Sequence, residues 1–418
     1  MHICLFEDRF LGNLLPLNYF RPVFDLRCGI LTLRERILGY LHPSSFSLAV
    51  RDYLADLTRE DCPGIEVNSV TASECLFVNS RVIFTGKLAK ELRKAKGDLL
   101  FTCGDVVVAA RLSGDNLLRV SPGGQAASVD FSSLHSVTRA DIEATLVSYP
   151  WDLIYANESE IVNDFLLLTK GGKRVQKSGK IHASAVLLGK KHIHVGRKSE
   201  IGPGAVLDAT AGPIYIGERV KVLPNAVLEG PCSVGAGSVI RVGAKIYAHT
   251  SIGPVSKVGG EVEHSIFHSH ANKQHDGYLG HSYVCPWVNL GAGTTTSNLK
   301  NTYGNVKVHI DGRLVDTGRM FVGLMAGDHV KTGINGTLDT GTVIGPSSNI
   351  FGTAIPRKDI PAFSWGDAGG LQIYEFEKAL DVAERVMARR NVKVTEAYRK
   401  VFHAIFSMTT HDRAVQSV

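Results

Sequence analysis

The sequence predicts an α/β domain over residues 1–175, a left-handed parallel β-helix of hexapeptide repeats over 176–362 and a helical tail over 363–418. The distribution of glycine supports this division, because 33 of the 43 glycines lie between residues 171 and 370. The first 170 residues hold ten glycines and the last 48 hold none. A chain of 418 residues is also too long for one ordinary hydrophobic core.

A six-residue repeat in the middle of the chain is the second observation behind this fold class. A period of six fits neither an α-helix nor a simple alternating strand, but it is typical of a parallel β-solenoid in which three hexads close one triangular coil. The alternative, a β-sandwich, would not hold one register for so long. Aliphatic residues occupy every sixth position in one unbroken run: Ile216, Val222, Leu228, Val234, Ile240, Ile246, Ile252 and Val258. Shorter runs follow the same period at Tyr278, Val284 and Leu290, and at Met320, Ala326, Thr332, Leu338, Ile344 and Ile350.

Two segments, 259–277 and 299–319, do not follow the hexad. We expect both to be loops that leave the solenoid. Loops of this kind are the usual places for ligand contacts.

The flanking parts have different patterns. Before residue 170, segments 75–78 and 106–110 have the composition of buried strands, and segments 31–40 and 87–95 have helical charge spacing. This alternation predicts an α/β fold. After residue 370, apolar residues recur near helical spacing at Tyr374, Leu380, Ala383, Val386 and Met387. We expect one or two amphipathic helices there that pack on the solenoid or on a neighbouring subunit.

Composition and charge restrict the class of function. The chain has 46 basic and 40 acidic residues, a net charge of +6, which suits a phosphate-bearing substrate but not nucleic-acid binding. No apolar run approaches the roughly 20 residues of a membrane span, and the first ten residues lack the pattern of a signal peptide. Seven scattered cysteines without a CxxC pair favour a reducing compartment. We therefore expect a cytoplasmic protein with no nucleic-acid or membrane partner.

The residues most indicative of chemistry are HDGYLG at 275–280 and NLGAGT at 289–294, with Asn298 and Lys307 further on. Acyl transfer from a thioester to an amine needs a general base that titrates near neutrality, and histidine is the side chain that does so. The reaction also needs backbone N–H groups near the thioester carbonyl, which a Gly-Ala-Gly turn exposes. Asparagine side chains can hold sugar hydroxyls, and basic side chains can hold a phosphate.

These motifs and their spacing resemble the acetyltransferase half of the bifunctional glucosamine-1-phosphate acetyltransferase / N-acetylglucosamine-1-phosphate uridyltransferases. The stretch 306–335 is similar to the archaeal sugar-1-phosphate nucleotidyltransferase/acetyltransferases. The resemblance implies a homotrimer in which the acceptor and acetyl-CoA meet between subunits. It implies that His275 is the general base and that Ala292 offers its backbone to acetyl-CoA. It further implies that the amino-sugar phosphate is bound by Arg241, Tyr278, Asn289, Asn298 and Lys307.

His275 also lies in a histidine-rich stretch with His264, His268, His270 and His281. One alternative is a metal site, because hexapeptide carbonic anhydrases hold a metal with three histidines from adjacent coils. Another is a solvated loop without a role. We favour the general base, because the sequence offers no third histidine at the spacing of about two coils.

The N-terminal part resembles a sugar nucleotidyltransferase more distantly. The segments LLPLNYFRP at 14–22 and YPWDLI at 149–154 are similar to the opening and closing signatures of that domain. Members of the family bind Mg²⁺ through two aspartates, but Arg81 and Leu146 stand at those positions here. The phosphate loop should also be rich in glycine, and Gly12 is the one glycine in this stretch.

These departures leave few candidates for the nucleotide site. Asp8 and Asp105 are the acids we expect to hold Mg²⁺, and Arg21 and Arg81 are the basic residues we expect to meet a nucleotide or sugar phosphate. The alternative is that Asp8 caps a turn and pairs with Arg81, which would leave a folded but inactive domain.

The sequence therefore predicts an enzyme that transfers acetyl from acetyl-CoA to an amino-sugar 1-phosphate such as glucosamine-1-phosphate. A coupled uridylyl transfer from UTP would give UDP-N-acetylglucosamine. At the end of the solenoid, Arg357 and Lys358 are expected either to meet the CoA phosphates or to form a solvated turn. Two other functions stay open: a sugar-1-phosphate nucleotidyltransferase with the β-helix as an oligomerising or regulatory module, and a non-catalytic sensor built from both domains.

Overall fold

A computed structural model describes residues 1–120, 129–172, 175–352 and 354–414. The N-terminal part contains nine strands within that range: β1 (His2–Phe6), β2 (Ser45–Ala49), β3 (Glu66–Val67), β4 (Glu74–Asn79), β5 (Val82–Ile83), β6 (Leu99–Cys103), β7 (Val106–Ser113), β8 (Thr138–Asp141) and β9 (Thr145–Leu146). Its helices are α1 (Leu33–Leu41), α2 (Asp52–Asp61), α3 (Gly86–Lys94), α4 (Gly114–Val120) and α5 (Pro150–Leu168). The predicted strands lie within β4 and β7 and the predicted helices coincide with α1 and α3, so the α/β prediction is confirmed.

Seven of these strands form one mixed sheet in the order β3-β2-β1-β4-β7-β6-β8. Strand β1 is buried along its whole length because it pairs in parallel with β2 on one side and β4 on the other.

Helix α1 begins at a capping box, in which Thr32 and Glu35 each accept a hydrogen bond from the other's backbone N–H. Helix α5 begins with Pro150 in its first turn, where the missing N–H costs no hydrogen bond.

The chain then winds into the three-sided left-handed parallel β-helix that the repeat predicts. Face 1 consists of Lys180–Ile181, Glu200–Ile201, Lys221–Val222, Val239–Ile240, Lys257–Val258 and Asn272–Lys273, and after a bridge at Asn289 it continues with Lys331–Thr332, Asn349–Ile350 and Ser364–Asp367. Face 2 consists of Val186–Leu188, Val206–Asp208, Val227–Glu229, Lys245–Ile246, Glu261–Glu263, Tyr278–Gly280, Thr295–Thr296 and Thr337–Leu338. Face 3 consists of Ile193–Val195, Ile214–Ile216, Cys232–Val234, Thr250–Ile252, Ile266–Phe267, Tyr283–Val284, Met325–Ala326, Val343–Ile344 and Asp359–Ile360.

The inward register agrees with the long hexad run, whose eight aliphatic residues are all at most 1% exposed. The two shorter runs are each wrong at their first residue. Met320 is exposed, because the chain there has not yet rejoined the solenoid, and Leu279 rather than Tyr278 is buried inside the coil.

The prediction that residues 259–277 form a loop outside the solenoid is wrong. This segment completes a coil with the strands Glu261–Glu263, Ile266–Phe267 and Asn272–Lys273. The hexad is lost because the turns are shorter: after Val258, the next residues of the solenoid's hydrophobic core are Val262 and Phe267, at intervals of four and five. The register then resumes with Lys273, an inward lysine that is 1% exposed.

The second predicted loop does leave the solenoid. Between residues 299 and 319 the strands Lys307–Ile310 and Arg313–Asp316 form an antiparallel hairpin. Its apolar residues Val306, Val308 and Ile310 are buried in a cluster with residues from the N-terminal part. The hairpin therefore packs between the solenoid and the N-terminal part and contacts both.

The predicted tail, 363–418, begins with two strands and not with a helix. Ser364–Asp367 is the last strand of face 1, and Gly370–Ile373 pairs with it as an antiparallel hairpin. Helices α6 (Phe376–Ala388), α7 (Glu396–Met408) and α8 (Thr410–Ala414) follow. Helix α7 packs beside α2 and places Val401, Phe402 and Ile405 in the same buried cluster as β1. The tail thus joins the N-terminal sheet to the end of the solenoid.

Face 3 of the solenoid is covered by the N-terminal part rather than by solvent. Tyr283, Cys285 and Met325 of the solenoid are fully buried in one cluster with Leu17 and Trp151. No helix in the described part of the chain is both long enough and apolar enough to cross a bilayer.

The buried lysine generates a prediction about the pH dependence of stability. Burial lowers the pKa of Lys273 from 10.5 to about 8, so the unfolded chain binds more protons than the folded one between these two values. The free energy of unfolding of the wild type should therefore rise relative to that of Lys273→Met as the pH increases from about 8 to about 10.5. Chemical denaturation across this range measures the difference.

The matched control is Lys221→Met, because Lys221 is an exposed lysine on the same face. It should leave the slope of stability against pH unchanged. Parallel curves for the wild type and Lys273→Met would show that the lysine is not buried in the coil.

Candidate functional site

His275 lies at the corner where the chain passes from face 1 to face 2, and its side chain is exposed. The next coil carries the Gly-Ala-Gly turn at the same corner, and Gly293 N–H donates to the carbonyl of Asp276 at 3.0 Å. Gly277 has a φ of +123°, and a Cβ there would lie 2.1 Å from the carbonyl oxygen of Thr294. Only glycine permits this contact, so the two motifs singled out in the sequence stack directly on each other.

Lys273 supports this corner from inside the coil. Its ammonium donates to the carbonyls of Gly259 and His275, each at 3.1 Å, and of Gly277 at 2.6 Å. A buried charge is tolerated where such hydrogen bonds replace water. Sequence reasoning missed this residue, although its position six residues before Leu279 marks it as inward-facing.

Tyr278, on face 2, and Asn298, two of the residues predicted to bind the acceptor, contact each other. The Tyr278 hydroxyl donates to a carboxylate oxygen of Glu263, and Asn298 Nδ2 donates to Tyr278 Oη at 2.8 Å and to His281 Nδ1 at 2.9 Å. Burial and the carboxylate of Glu263 raise the pKa of Tyr278. This network of four polar side chains is preorganised, and Glu263 is a member that the sequence did not reveal.

Three histidines from successive coils, His249, His264 and His281, lie next to one another at the corner between faces 2 and 3. His249 Nδ1 is 2.6 Å from His264 Nε2, and the rings of His264 and His281 are stacked at 4.5 Å between centroids. Burial and the neighbouring histidines lower the pKa of His281 to about 3, so its ring is neutral. Within the described range, Glu263, His264 and His281 have ligand atoms within 4.8 Å of one another, and His275 is not part of this group.

The remaining residues implied for the acceptor lie apart from this network. Asn289 is exposed on face 1, where it lines a cavity of about 240 Å³. Arg241 and Ala292 lie at the same corner of the solenoid as His275, in other coils, and Lys307 is exposed on the hairpin. Within one chain, the predicted acceptor residues are therefore spread over two faces, one corner and the hairpin.

Arg357 and Lys358 do not form one patch. Lys358 Nζ pairs with Asp339 at 2.9 Å and donates to Thr340 at 3.3 Å, whereas Arg357 is exposed at a cavity of about 440 Å³ between the N-terminal part and the end of the solenoid. Of these two basic residues, only Arg357 has a charged group that is exposed to a ligand.

In the N-terminal part, Asp8 and Arg81 form an ion pair. Arg81 Nε donates to Asp8 Oδ1 at 2.9 Å and Nη2 donates to Oδ2 at 2.6 Å, and Arg81 is 3% exposed. Asp8 also accepts hydrogen bonds from the backbone N–H of Phe10 and from Asn79 Nδ2. Both carboxylate oxygens of Asp8 therefore already accept hydrogen bonds, and the guanidinium of Arg81 lies beside them.

The expectation that Asp8 holds Mg²⁺ and that Arg81 meets a phosphate is therefore not met. A divalent cation at Asp8 would have to displace the guanidinium that neutralises the carboxylate, so the residues present do not fit the ion. Asp8 and Asp105 line one cavity of about 420 Å³, but Asp105 is exposed and does not take part in the ion pair of Asp8 with Arg81. The arrangement is the alternative considered above, in which Asp8 caps a turn and pairs with Arg81.

Arg21 is likewise engaged within the fold and not available to a phosphate. It forms an ion pair with Asp328 of the solenoid and donates to the carbonyl of Leu17 at 2.6 Å. Arg21 is 11% exposed and Asp328 is 1% exposed. The segment that resembles the opening signature thus forms a domain interface.

Comparison with known proteins assigns the N-terminal part. Residues 3–173 match the family model described as sugar nucleotidyl transferase. This part is therefore similar to sugar nucleotidyl transferase domains. About a third to a half of the chain is also similar to curated proteins that are described as bifunctional.

Two curated relatives illustrate the resemblance. A bifunctional sugar-1-phosphate nucleotidylyltransferase/acetyltransferase of Sulfurisphaera tokodaii is 32% identical over 157 residues, which cover 34% of this chain and 39% of that protein. The bifunctional protein GlmU of Methanococcus vannielii is 34% identical over 215 residues, 51% of this chain and 44% of that protein. The chain therefore spans less than half the length of these relatives. A solved UDP-N-acetylglucosamine acyltransferase of Francisella novicida is 15% identical, with a TM-score of 0.31, over 58% of this chain and 86% of that one.

The ion pair at Asp8 generates a stability prediction. Arg81→Met should lower the free energy of unfolding by on the order of 3 kcal/mol, because it leaves a largely buried carboxylate without its partner. Arg59→Met is the matched control: the pair of Arg59 with Asp56 is more than half exposed, and its loss should cost at most about 1 kcal/mol. Denaturant titration measures both changes. Equal effects of the two substitutions would contradict the paired state of Asp8.

Proposed function

We propose that this protein transfers acetyl from acetyl-CoA to the amine of an amino-sugar 1-phosphate, with glucosamine-1-phosphate as the first acceptor to test. The observation that carries the proposal is the corner where exposed His275 directly precedes Asp276, whose carbonyl accepts a hydrogen bond from Gly293 of the Gly-Ala-Gly turn in the next coil. A base beside a fixed turn of backbone N–H groups is the arrangement that aminolysis of a thioester requires.

The turn leaves one N–H group for the ligand. The N–H groups of Gly291, Gly293 and Thr294 donate to Thr332, Asp276 and Gly291. The structure gives no partner among the described residues to the N–H of Ala292. This group can donate to the thioester carbonyl, whose oxygen becomes negatively charged when the amine attacks.

The proposed reaction is balanced by the groups at this corner. His275 accepts a proton from the attacking amine as the new C–N bond forms. The tetrahedral intermediate then collapses, the C–S bond breaks, and the thiolate of CoA receives the proton from the imidazolium. Tyr278, Asn298 and Glu263 would hold sugar hydroxyls, because their hydroxyl, amide and carboxylate offer both donors and acceptors.

We further propose that the protein acts as a cytoplasmic homotrimer, because the predicted acceptor residues lie on two different faces of one solenoid and a neighbouring subunit would bring them together. Uridylyl transfer from UTP to the acetylated product is a second candidate activity. The match of residues 3–173 to the sugar nucleotidyl transferase family favours it. The pairing of Asp8 with Arg81 opposes it.

His275→Ala should reduce acetyl transfer by about 10²–10⁴-fold, the range expected for the loss of a general base. The assay follows free thiol released from acetyl-CoA in the presence of glucosamine-1-phosphate. The fold should persist because the side chain is exposed. His192→Ala, which removes another exposed histidine of the solenoid, is the control and should retain wild-type turnover. Wild-type thiol release by His275→Ala would refute the assignment of the base.

Sedimentation equilibrium tests the proposed assembly. At micromolar concentration we expect a mass of three chains, each of 45.2 kDa. A monomer that is fully active in acetyl transfer would rule out a site shared between subunits.

A further inference from the structure

A cavity of about 240 Å³ lies between face 1 of the solenoid and the C-terminal end of α6. Four successive coils contribute its solenoid wall through the outward residues Lys257, Asn272, Asn289 and Lys331, which pair in parallel register. Arg389 and Arg390, which directly follow α6, close the other side. We call this space the basic cavity.

The charges around the basic cavity are not balanced. Lys257, Lys331, Arg389 and Arg390 line it, and among its described lining residues there is no aspartate or glutamate. Burial and the nearby Arg390, Arg241 and Arg389 lower the pKa of Lys257, and burial lowers the pKa of Lys331 to about 8. Cations held this close without acidic partners repel one another, so a bound anion would stabilise them.

The side chains also have unused donors that can meet an anion. Asn272 Oδ1 accepts a hydrogen bond from Arg390 Nη2 at 3.1 Å, which fixes the guanidinium, and Arg390 Nε is buried without a partner in the described structure. Lys331 Nζ donates to the carbonyl of His329 at 2.9 Å. An ammonium carries three hydrogens, so Lys331 can donate further hydrogen bonds.

The electrostatics of α6 explain only part of this arrangement. Cations are favourable near the C-terminus of a helix, which accounts for Arg389 and Arg390. Lys257 and Lys331 belong to the solenoid, three coils apart, with the coils of Asn272 and Asn289 between them. The helix terminus gives these lysines no reason to face the arginines. The convergence of two separate elements on one space therefore indicates a ligand.

We propose that the basic cavity binds a phosphate-bearing anion, with Lys331 and Arg390 as its principal ligands. An arginine fork and lysine ammonium groups are the side chains that recognise phosphate oxygens best. The basic cavity, of about 240 Å³, is large enough to hold part of the organic group attached to the phosphate as well. Asn289 is the one lining residue that is also predicted to bind the acceptor. The inference goes beyond the proposed acetyl transfer, because Lys257, Lys331 and Arg390 have no role in it and binding is measured without turnover.

Calorimetric titration of the full-length protein in the absence of Mg²⁺ tests the proposal. Pyrophosphate, glucosamine-1-phosphate, acetyl-CoA and UTP are titrated separately, since a sugar phosphate, a coenzyme, a nucleotide and a free anion share the same phosphate chemistry. The ligand that binds most tightly identifies the source. Lys331→Met and Arg390→Gln should each weaken its binding by about tenfold or more, the loss expected for one charge-assisted hydrogen bond.

Two further variants make the result specific. Arg390→Lys keeps the charge and should restore most of the affinity lost in Arg390→Gln. Arg385→Gln removes an exposed arginine of α6 that does not line the cavity, and its affinity should equal that of the wild type. Thermal unfolding confirms that each variant is folded, and Lys331→Met tests the site from the solenoid side if a change at the end of α6 disturbs the helix.

Two results would overturn the proposal: no binding of any of the four compounds at millimolar concentration, or binding that neither Lys331→Met nor Arg390→Gln weakens. Either result would leave the proposed acetyl transfer standing if thiol release from acetyl-CoA is still observed. Conversely, phosphate binding that depends on Lys331 and Arg390 in a protein without acetyl transfer would support the basic cavity and refute the proposed function alone.

Discussion

The burial of face 3 of the solenoid against the N-terminal domain is the constraint on which the rest of the structure depends. Tyr283 of the solenoid exchanges hydrogen bonds with the backbone of Arg27, and Asn157 of α5 donates to the carbonyl of His249. The ion pair of Arg21 with Asp328 is buried in the same interface. Such a pair persists only where the surrounding packing holds both partners, so the two domains form one unit. The segment around Arg21 therefore contributes to the domain interface and not to a ligand site.

The use of Arg21 in the interface bears on the two candidate reactions, nucleotidyl transfer in the N-terminal domain and acetyl transfer on the solenoid. In the N-terminal domain, the arginines and the aspartate that a nucleotide and its metal would need are neutralised by one another or by the solenoid, as the pairs Arg81–Asp8 and Arg21–Asp328 show. On the solenoid, His275 is exposed, and the N–H of Ala292 has no hydrogen-bond partner among the residues that the structure describes. A preorganised but unsatisfied set of groups is what catalysis by acyl transfer requires, whereas a satisfied set serves stability.

Much of the fold could be predicted from the sequence because the hexad has a direct physical cause: each sixth side chain fills the coil, as Ile216 and Val258 do. The hexad does not predict the coil formed by residues 259–277 or the inward position of Lys273, because shorter turns shift the register there. Pairing across the chain was only partly foreseen. The pairing of Asp8 with Arg81 was an explicit alternative, but contacts that join distant segments, such as Glu263 with Tyr278 or α7 with α2, leave no periodic signal.

The central claim is that the solenoid, and not the N-terminal domain, carries the activity. The most direct measurement is mass spectrometry of the products formed from acetyl-CoA, glucosamine-1-phosphate, UTP and Mg²⁺ incubated together with the purified protein. This account predicts accumulation of the N-acetylated sugar phosphate and free CoA, with little or no nucleotide sugar. Rapid formation of a UDP-sugar with pyrophosphate, and no acetylated sugar phosphate, would contradict it.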